Sequence, residues 1–351
     1  MQPLTIGPRA TSNDSELVGV IVTEEVRHNG RRLFQKGYRL EADDLATLAE
    51  LVRPFHAVRL MDDDVHEDEA ARRLAAVAMG PGLTARGPVQ SRVNLVAARK
   101  GLLRVDPAAV LAINTLADTA LFTLPDRLSV LPGKVVAGAK ITPVAIPDRL
   151  LAQAEAYARA RPRPIVEVAP FQPLVVGVVT TEGLTGRTRE RFQATVRRKI
   201  GWFGGSVLRF EELPNDASAV ARAIEGLITD GAQLVLTGGG NTIDPLDATL
   251  QALPMIGASV VRFGAPVHPG SMFWLAYAET AGRPETPIFN LSSCSMYSKA
   301  TVADLVLPWV MAGERVSRAD IAGIGYGGLL DRDMGWRFPP YDAESVEETD
   351  E

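Results

Sequence analysis

From residue 174 onward the apolar positions alternate between two rhythms. Leu-Val-Val-Gly-Val-Val-Thr at 174–180 is a continuous run rich in β-branched residues, the pattern of a parallel strand covered on both faces. Phe192, Val196 and Ile200 then recur at helical spacing, with Arg187, Arg189, Glu190, Arg191, Arg197 and Arg198 on the other faces and Gly204-Gly205 as the stop. Residues 206–210 read as the next strand. Asp216 is placed to cap a helix whose Val220, Ala223, Ile224, Leu227 and Ile228 form one stripe, and Gly231 closes it before a strand at 233–237. The order β-α-β-α-β predicts a parallel sheet with right-handed crossovers, continued by strands at 258–263 and 287–291 and by a long helix at 296–312.

The first half is less regular. Leu45, Leu48 and Val52 share one face of a predicted helix at 41–53, and Ala70, Leu74, Val77 and Ala78 one face of another at 66–79, with a short strand at 57–61 between them. From 82 to 147 the pattern breaks into brief β-like runs, among them 93–97, 120–123 and 134–143, separated by glycine and proline. A helix at 148–161 leads to Pro162, Pro164, Pro170 and Pro173, which favour an extended connector. The expected organisation is an N-terminal α/β segment (1–80), a β-rich module with a connecting helix (81–165), an α/β domain (166–335) and an acidic tail without fixed structure (336–351). The fold class is α/β, a three-layer sandwich around a mostly parallel sheet, preceded by a β-rich α+β region.

Composition narrows the function classes. The chain has 351 residues, 46% hydrophobic and 23% charged, as in globular proteins, and no apolar run approaches the roughly 18 residues a membrane span requires. The start lacks a basic segment followed by an apolar core, so the expected location is the cytoplasm. One cysteine excludes an intrachain disulfide framework, and four scattered histidines give no zinc-like cluster. A net charge of -5 argues against nucleic acid as the main partner.

The most informative local feature is the segment Leu-Val-Leu-Thr-Gly-Gly-Gly-Asn-Thr-Ile-Asp-Pro-Leu-Asp at 234–247, a strand that runs into three glycines and then two carboxylates. Gly238, Gly239 and Gly240 bring no Cβ to keep a ligand off the main chain and permit positive φ, so consecutive N–H groups can converge on an oxyanion. Asp244 and Asp247 would repel a bare phosphate, so a divalent cation, typically Mg²⁺, is expected between them. The turn follows a strand at the end of an open α/β sheet where ligands bind. It is neither a P-loop, which needs Gly-Lys-Ser/Thr, nor a dinucleotide fingerprint. The structural alternatives are an ordinary flexible turn, with Asp244 before Pro245 starting a turn and Asp247 a first-turn helix acid.

From residue 174 to about 330 the order of features resembles the molybdopterin-binding domain of molybdenum-cofactor assembly proteins, in particular molybdopterin molybdenumtransferase and molybdopterin adenylyltransferase. Leu-Thr-Gly-Gly-Gly at 236–240 is similar to the family's strand-Thr-Gly-Gly turn, and Asp247-Ala248-Thr249 to the Asp-x-Thr of the adenylyltransferase branch. Asp244 and Asp247 resemble the acidic pair of the other branch with one residue more between them. Val267-His268-Pro269-Gly270 sits where that branch has a Pro-Gly turn, and Asn290-Leu291, followed by a helix with Leu307-Pro308, where it has its second turn and closing helix. The family's Pro-Gly-Asn-Pro is Ser292-Ser293-Cys294-Ser295 here, and its Thr-Gly-Asp-Glu is Thr180-Thr181-Glu182-Gly183. Phe34-Gln-Lys-Gly-Tyr-Arg-Leu40, the helix from His66 and Gly325-Tyr-Gly-Gly-Leu329 resemble a divergent subgroup linked with molybdenum hydroxylases.

The resemblance implies molybdopterin, or its adenylylated form, as ligand or substrate. Gly238, Gly239 and Gly240 would receive the phosphate or pyrophosphate, with Thr237 and Asn241 adding hydrogen bonds. Asp244 and Asp247 would hold Mg²⁺ and serve catalysis, with molybdate near the dithiolene. Pro269, Gly270, Ser271, Ser292 and Ser293 would contact the anion or pterin, and Thr180, Thr181 and Glu182 would line the pterin side. Purely structural roles stay open: the serines as helix caps, Cys294 as a buried thiol, His268 as a turn residue and the arginines of 187–198 as a solvated face. Three functions are compatible: a Mg²⁺-dependent transferase inserting molybdate, a non-catalytic carrier serving an apo-molybdoenzyme, and a metal-dependent pyrophosphatase or deamidase of the competence-damage type. The family further implies a homo-oligomer.

Overall fold

Val175–Thr180 (β1) has a strand on each side and apolar cover above and below, the physical reason for its uninterrupted apolar run. The computed structural model describes residues 1–7, 15–181, 183–238, 244–280, 282, 284–291 and 301–343. After β1 come α1 (Gly186–Trp202), β2 (Ser206–Glu212), α2 (Ala217–Thr229), β3 (Leu234–Gly238), α3 (Ala248–Met255), β4 (Ser259–Phe263), β5 (Trp274–Ala278), β6 (Thr286–Leu291), α4 (Val302–Met311) and α5 (Arg318–Gly323). The six strands form one sheet in the order β2-β1-β3-β6-β5-β4. β1 pairs parallel with β2 and β3, and β3 parallel with β6. β5 pairs antiparallel with both β6 and β4.

The last two pairings correct the expectation that 258–263 continues a parallel ladder. β5 lies between β4 and β6, and its Trp-Leu-Ala-Tyr-Ala, buried throughout, gives no alternation to announce a strand.

Alternating side chains feed two cores. Val176, Val178, Leu236 and Phe289 pack with Phe192, Val196 and Ile200 of α1 and with the residues of α4. Val179, Val235, Ile288 and Trp274 pack with Val220, Ile224 and Leu227 of α2 and with Ala248, Ala252 and Leu253 of α3. Asp216 caps α2 by accepting the Ala219 N–H at 2.7 Å, as its position predicts. α4 is buried at every position and, Asp304 apart, is apolar all round rather than striped. The expected helix from 296 begins at Val302 among the described residues, and 296–300 lie outside them.

Residues 338–343, expected within an unstructured tail, are packed. Tyr341 meets the rings of Trp202 and Phe203 at centroid distances of 5.8 and 6.0 Å, the Trp202 indole N–H donates to the Ala343 carbonyl at 3.0 Å, and Arg198 pairs with Asp342 at 2.6 Å. The acidic composition had hidden the two aromatics, Phe338 and Tyr341, whose burial outweighs the ordering of so short a segment. Residues 344–351 lie outside the described residues.

By contact the chain divides into two units, of which 99–103, 127–132 and 168–351 form the one above. The other comprises 1–98, 104–126 and 133–167. In it Phe55–Arg59 pairs antiparallel with Gln2–Ile6 and Ile21–Val22, and Val135–Ile141 lies in a four-stranded antiparallel sheet between Thr119–Thr123 and Arg92–Ala97. The helices predicted at 41–53 and 66–79 are Asp44–Glu50 and Glu67–Ala78. Pro107–Asn114, a helix missed in sequence, carries a plain start signal in the Asp106 cap and the proline at its first position. Among the described residues no helix is long and apolar enough to cross a membrane.

Candidate functional site

Strand direction decides what meets at one end of the sheet. β1, β3 and β6 are parallel and in register, Thr180 opposite Gly238 and Gly238 opposite Leu291, so all three finish together. β5 runs against β6, with Leu275 opposite Phe289, so the loop entering β5 arrives at that same end. This brings Thr180, Thr181, Thr237 and Gly238 to the end of the sheet that receives Pro269, Gly270 and Ser271, the side where ligands of open α/β sheets bind. Glu182, Gly239, Gly240, Asn241, Ser292 and Ser293 lie outside the described residues.

Gly238 differs from its expected role. It is the last residue of β3, its φ is not positive, and the Thr181 N–H donates to its carbonyl at 3.0 Å. A Cβ there would meet Thr180 Oγ1 at 3.6 Å and the Phe192 ring at 3.8 Å, ordinary contact distances. Neither backbone nor packing therefore demands glycine at 238. Gly270 is the opposite case, with φ of +111° and a Cβ position 3.2 Å from the Val302 nitrogen.

Thr237 alternates with Gly238 and turns to the α3 side of the sheet with Val235 and Val179. It is fully buried, and its hydroxyl has no hydrogen-bond partner among the described residues. Leaving such a group unmatched costs roughly 1–3 kcal/mol.

The two aspartates are joined in one turn. Asp244 is exposed; its Oδ1 accepts the Leu246 N–H and its carbonyl the Asp247 N–H, each at 2.9 Å. Asp247, only 4% exposed, caps α3. Its Oδ1 accepts the Thr249 N–H at 2.9 Å and the Thr249 hydroxyl, and its carbonyl accepts the N–H groups of Leu250 and Gln251. Asn215 Oδ1 accepts the remaining Ala248 N–H at 3.1 Å. All four leading amides of α3 are thus engaged, and this helix end has none left for an anion.

Each carboxylate keeps Oδ2 without a hydrogen-bond partner among the described residues. Mg²⁺ is typically held by one or two carboxylates together with waters and phosphate oxygens. A cage made by the protein alone is not present: among the described residues no group of three or more His, Cys, Asp or Glu could hold a metal.

Two asparagines that no site expectation included support the arrangement. Asn215 closes α3, and Asn290, 1% exposed, accepts the Trp274 N–H at 2.6 Å and donates to the Met272 carbonyl at 2.9 Å, fastening the loop to β6. An amide inside Pro287-Ile-Phe-Asn-Leu was the available signal. The loop is held again at His268, whose N–H donates to the Gly328 carbonyl at 2.9 Å and whose carbonyl accepts the Leu330 N–H at 2.8 Å.

Comparison with known proteins bears on the same region. A search of the curated proteins found no match. Among solved structures, the tungsten cofactor synthesizing protein MoaB from Pyrococcus furiosus is 17% identical, with 35% of this chain and 84% of that one covered and a TM-score of 0.28. A molybdenum cofactor biosynthesis protein B is 15% identical, covers 45% of this chain and 97% of its own, and has a TM-score of 0.27. The family model described as "Probable molybdopterin binding domain" matches residues 175–312, the span from β1 through α4. Residues 175–312 belong to that molybdopterin-binding domain family.

Proposed function

We propose that this domain binds molybdopterin or its adenylylated form at the strand tips and uses it in molybdenum cofactor biosynthesis, with molybdate insertion as the reaction. The observation that supports the reading is the buried Thr237 hydroxyl, without a hydrogen-bond partner among the described residues, next in the chain to a glycine that neither its backbone angles nor its described neighbours require. A ligand oxygen reaching the strand tip on the α3 side would satisfy the hydroxyl, and the missing Cβ of Gly238 leaves room on the opposite, α1 side. The main chain from Gly238 through Gly240 and the side chains of Thr237 and Asn241 take the phosphate end. To the pterin side this reading assigns Thr180, Thr181 and Glu182, and to contacts with the anion or pterin it assigns Pro269, Gly270, Ser271, Ser292 and Ser293. Asp244 and Asp247 would hold Mg²⁺, which when bound neutralises phosphoryl charge. An apo-molybdoenzyme as recipient, a homo-oligomeric assembly and a cytoplasmic location complete the proposal.

A second reading, a carrier that binds the finished cofactor without turnover, is favoured by one observation: the caps on α3 already engage Asp247 Oδ1 and every leading amide. Turnover separates the two. Incubation with adenylylated molybdopterin, molybdate and Mg²⁺ should release AMP under the first reading, while tight binding without AMP selects the carrier. Cleavage of ADP-ribose or nicotinamide mononucleotide selects the pyrophosphatase or deamidase. Iodine oxidation of the purified protein should yield a fluorescent pterin; if it yields none and added molybdopterin does not bind, the proposal is lost.

Gly238→Ala probes the strand tip directly. The methyl group has room, so the free protein should be as stable as the native one or up to about 1 kcal/mol more stable. Molybdopterin affinity, measured by fluorescence titration, should fall at least tenfold, about 1.4 kcal/mol. An unchanged affinity would remove Gly238 from the site.

A further inference from the structure

We propose that Tyr341 and Asp304 are positioning residues for the loop 268–271, so that the seating of the C-terminal strap 338–343 and the binding of ligand are coupled. The proposal rests on the molybdopterin reading for the identity of the ligand, but not for the coupling itself.

Asp304 lies in the first turn of α4 and joins three segments. Its Oδ1 receives the Lys199 ammonium of α1 at 2.6 Å and the Tyr341 hydroxyl of the strap at 2.8 Å. Its Oδ2 receives the Thr301 hydroxyl at 2.7 Å. The cluster is dry: Asp304 and Thr301 are 1% exposed, Tyr341 5% and Lys199 7%. Hydrogen bonds to an ionised group in such surroundings are the strong ones, and they fix geometry as well as energy.

The other side of that first turn carries the loop. Gly270 comes so close to the Val302 nitrogen that a Cβ would stand 3.2 Å from it, with Thr301 Cα at 3.8 Å. The loop cannot follow a moving α4 freely, because His268 is bonded in both directions to 328–330. A shift of the first turn of α4 must therefore change how Gly270 and Ser271 are presented. The strap has hydrophobic anchors of its own, with Tyr341 edge-on to Trp202 and Phe203, so loss of the hydroxyl bond leaves its packing in place. This separates positioning from simple stability.

Tyr341→Phe in the full chain is the test, read first by hydrogen–deuterium exchange without ligand. Faster exchange is expected at 268–273 and in the first turn of α4, with the melting temperature close to native. Molybdopterin affinity should fall about tenfold, the scale of one charged hydrogen bond. Arg198→Ala, which breaks the exposed Arg198–Asp342 pair but leaves the Tyr341–Asp304 hydrogen bond in place, should leave the loop as it is. Exchange that rises at 338–343 alone, or an equal effect of Arg198→Ala on the loop, overturns the proposal. If Tyr341→Phe does not fold, the native protein decides the question: coupling is reciprocal, so added molybdopterin must slow exchange at 338–343, and no change there overturns it. Failure of the native protein to bind molybdopterin would reject the ligand while the exchange of the free protein still decides the coupling.

Discussion

Asp247→Asn is expected to leave the domain folded while abolishing any Mg²⁺-dependent turnover, a loss of about a hundredfold or more of the kind seen when a group stabilising transition-state charge is removed. The asparagine carbonyl can still accept the Thr249 N–H, and asparagine is as good a cap as aspartate, so α3 keeps its start. What disappears is the negative charge that would hold the cation. Asp247→Ala is the less informative change because it also removes the cap, which costs about 0.5–2 kcal/mol. AMP release and thermal unfolding measured on both variants separate the two roles. Undiminished turnover in Asp247→Asn would leave Asp247 as a cap and nothing more.

Lys199→Met should be the most damaging single change to stability in the second unit. It leaves Asp304 buried without its countercharge, a situation that costs about 3–5 kcal/mol. Burial already raises the Asp304 carboxyl above its ordinary value, against the lowering pull of Lys199, Thr301 and Tyr341. Removal of Lys199 raises it further. The protonated form is then the one that folds well, so stability is fully present below the unfolded value of about 4 and is lost as pH rises through the folded value. The urea midpoint of Lys199→Met should lie further below native at about pH 8 than at about pH 5. Equal deficits at the two pH values would mean that lost packing, rather than charge, is responsible.

The parts of the fold that could be read in the sequence are those in which one face of an element differs from the other. Phe192, Val196 and Ile200 mark α1, and Val220, Ile224 and Leu227 mark α2, because polar residues separate them. β5 has no such contrast, and its absence from the reading hid the antiparallel pairing of β4. Lys199 shows the reverse failure. Within Arg197-Arg198-Lys199 it reads as one more solvated cation, yet it stands three residues after Val196 and next to Ile200, on the buried stripe. At the site, the cap at Asp247 was legible from position alone, while the duties of Asn215 and Asn290 depend on partners 33 and 16 residues away. That the Thr237 hydroxyl has no partner among the described residues could not be read at all, because it depends on the surroundings and not on the residue.

The enclosure of α4 has a consequence for how the chain tolerates change. In α2 buried positions alternate with exposed Arg222, Glu225 and Thr229, and substitutions should be felt at helical intervals. Along Val302–Met311 no position is free to drift, so a scan of single replacements should return an unbroken intolerant block of ten residues. The first turn of the same block packs against Gly270, so variation that retunes the loop 268–271 has to enter within the stretch between β4 and β5 itself.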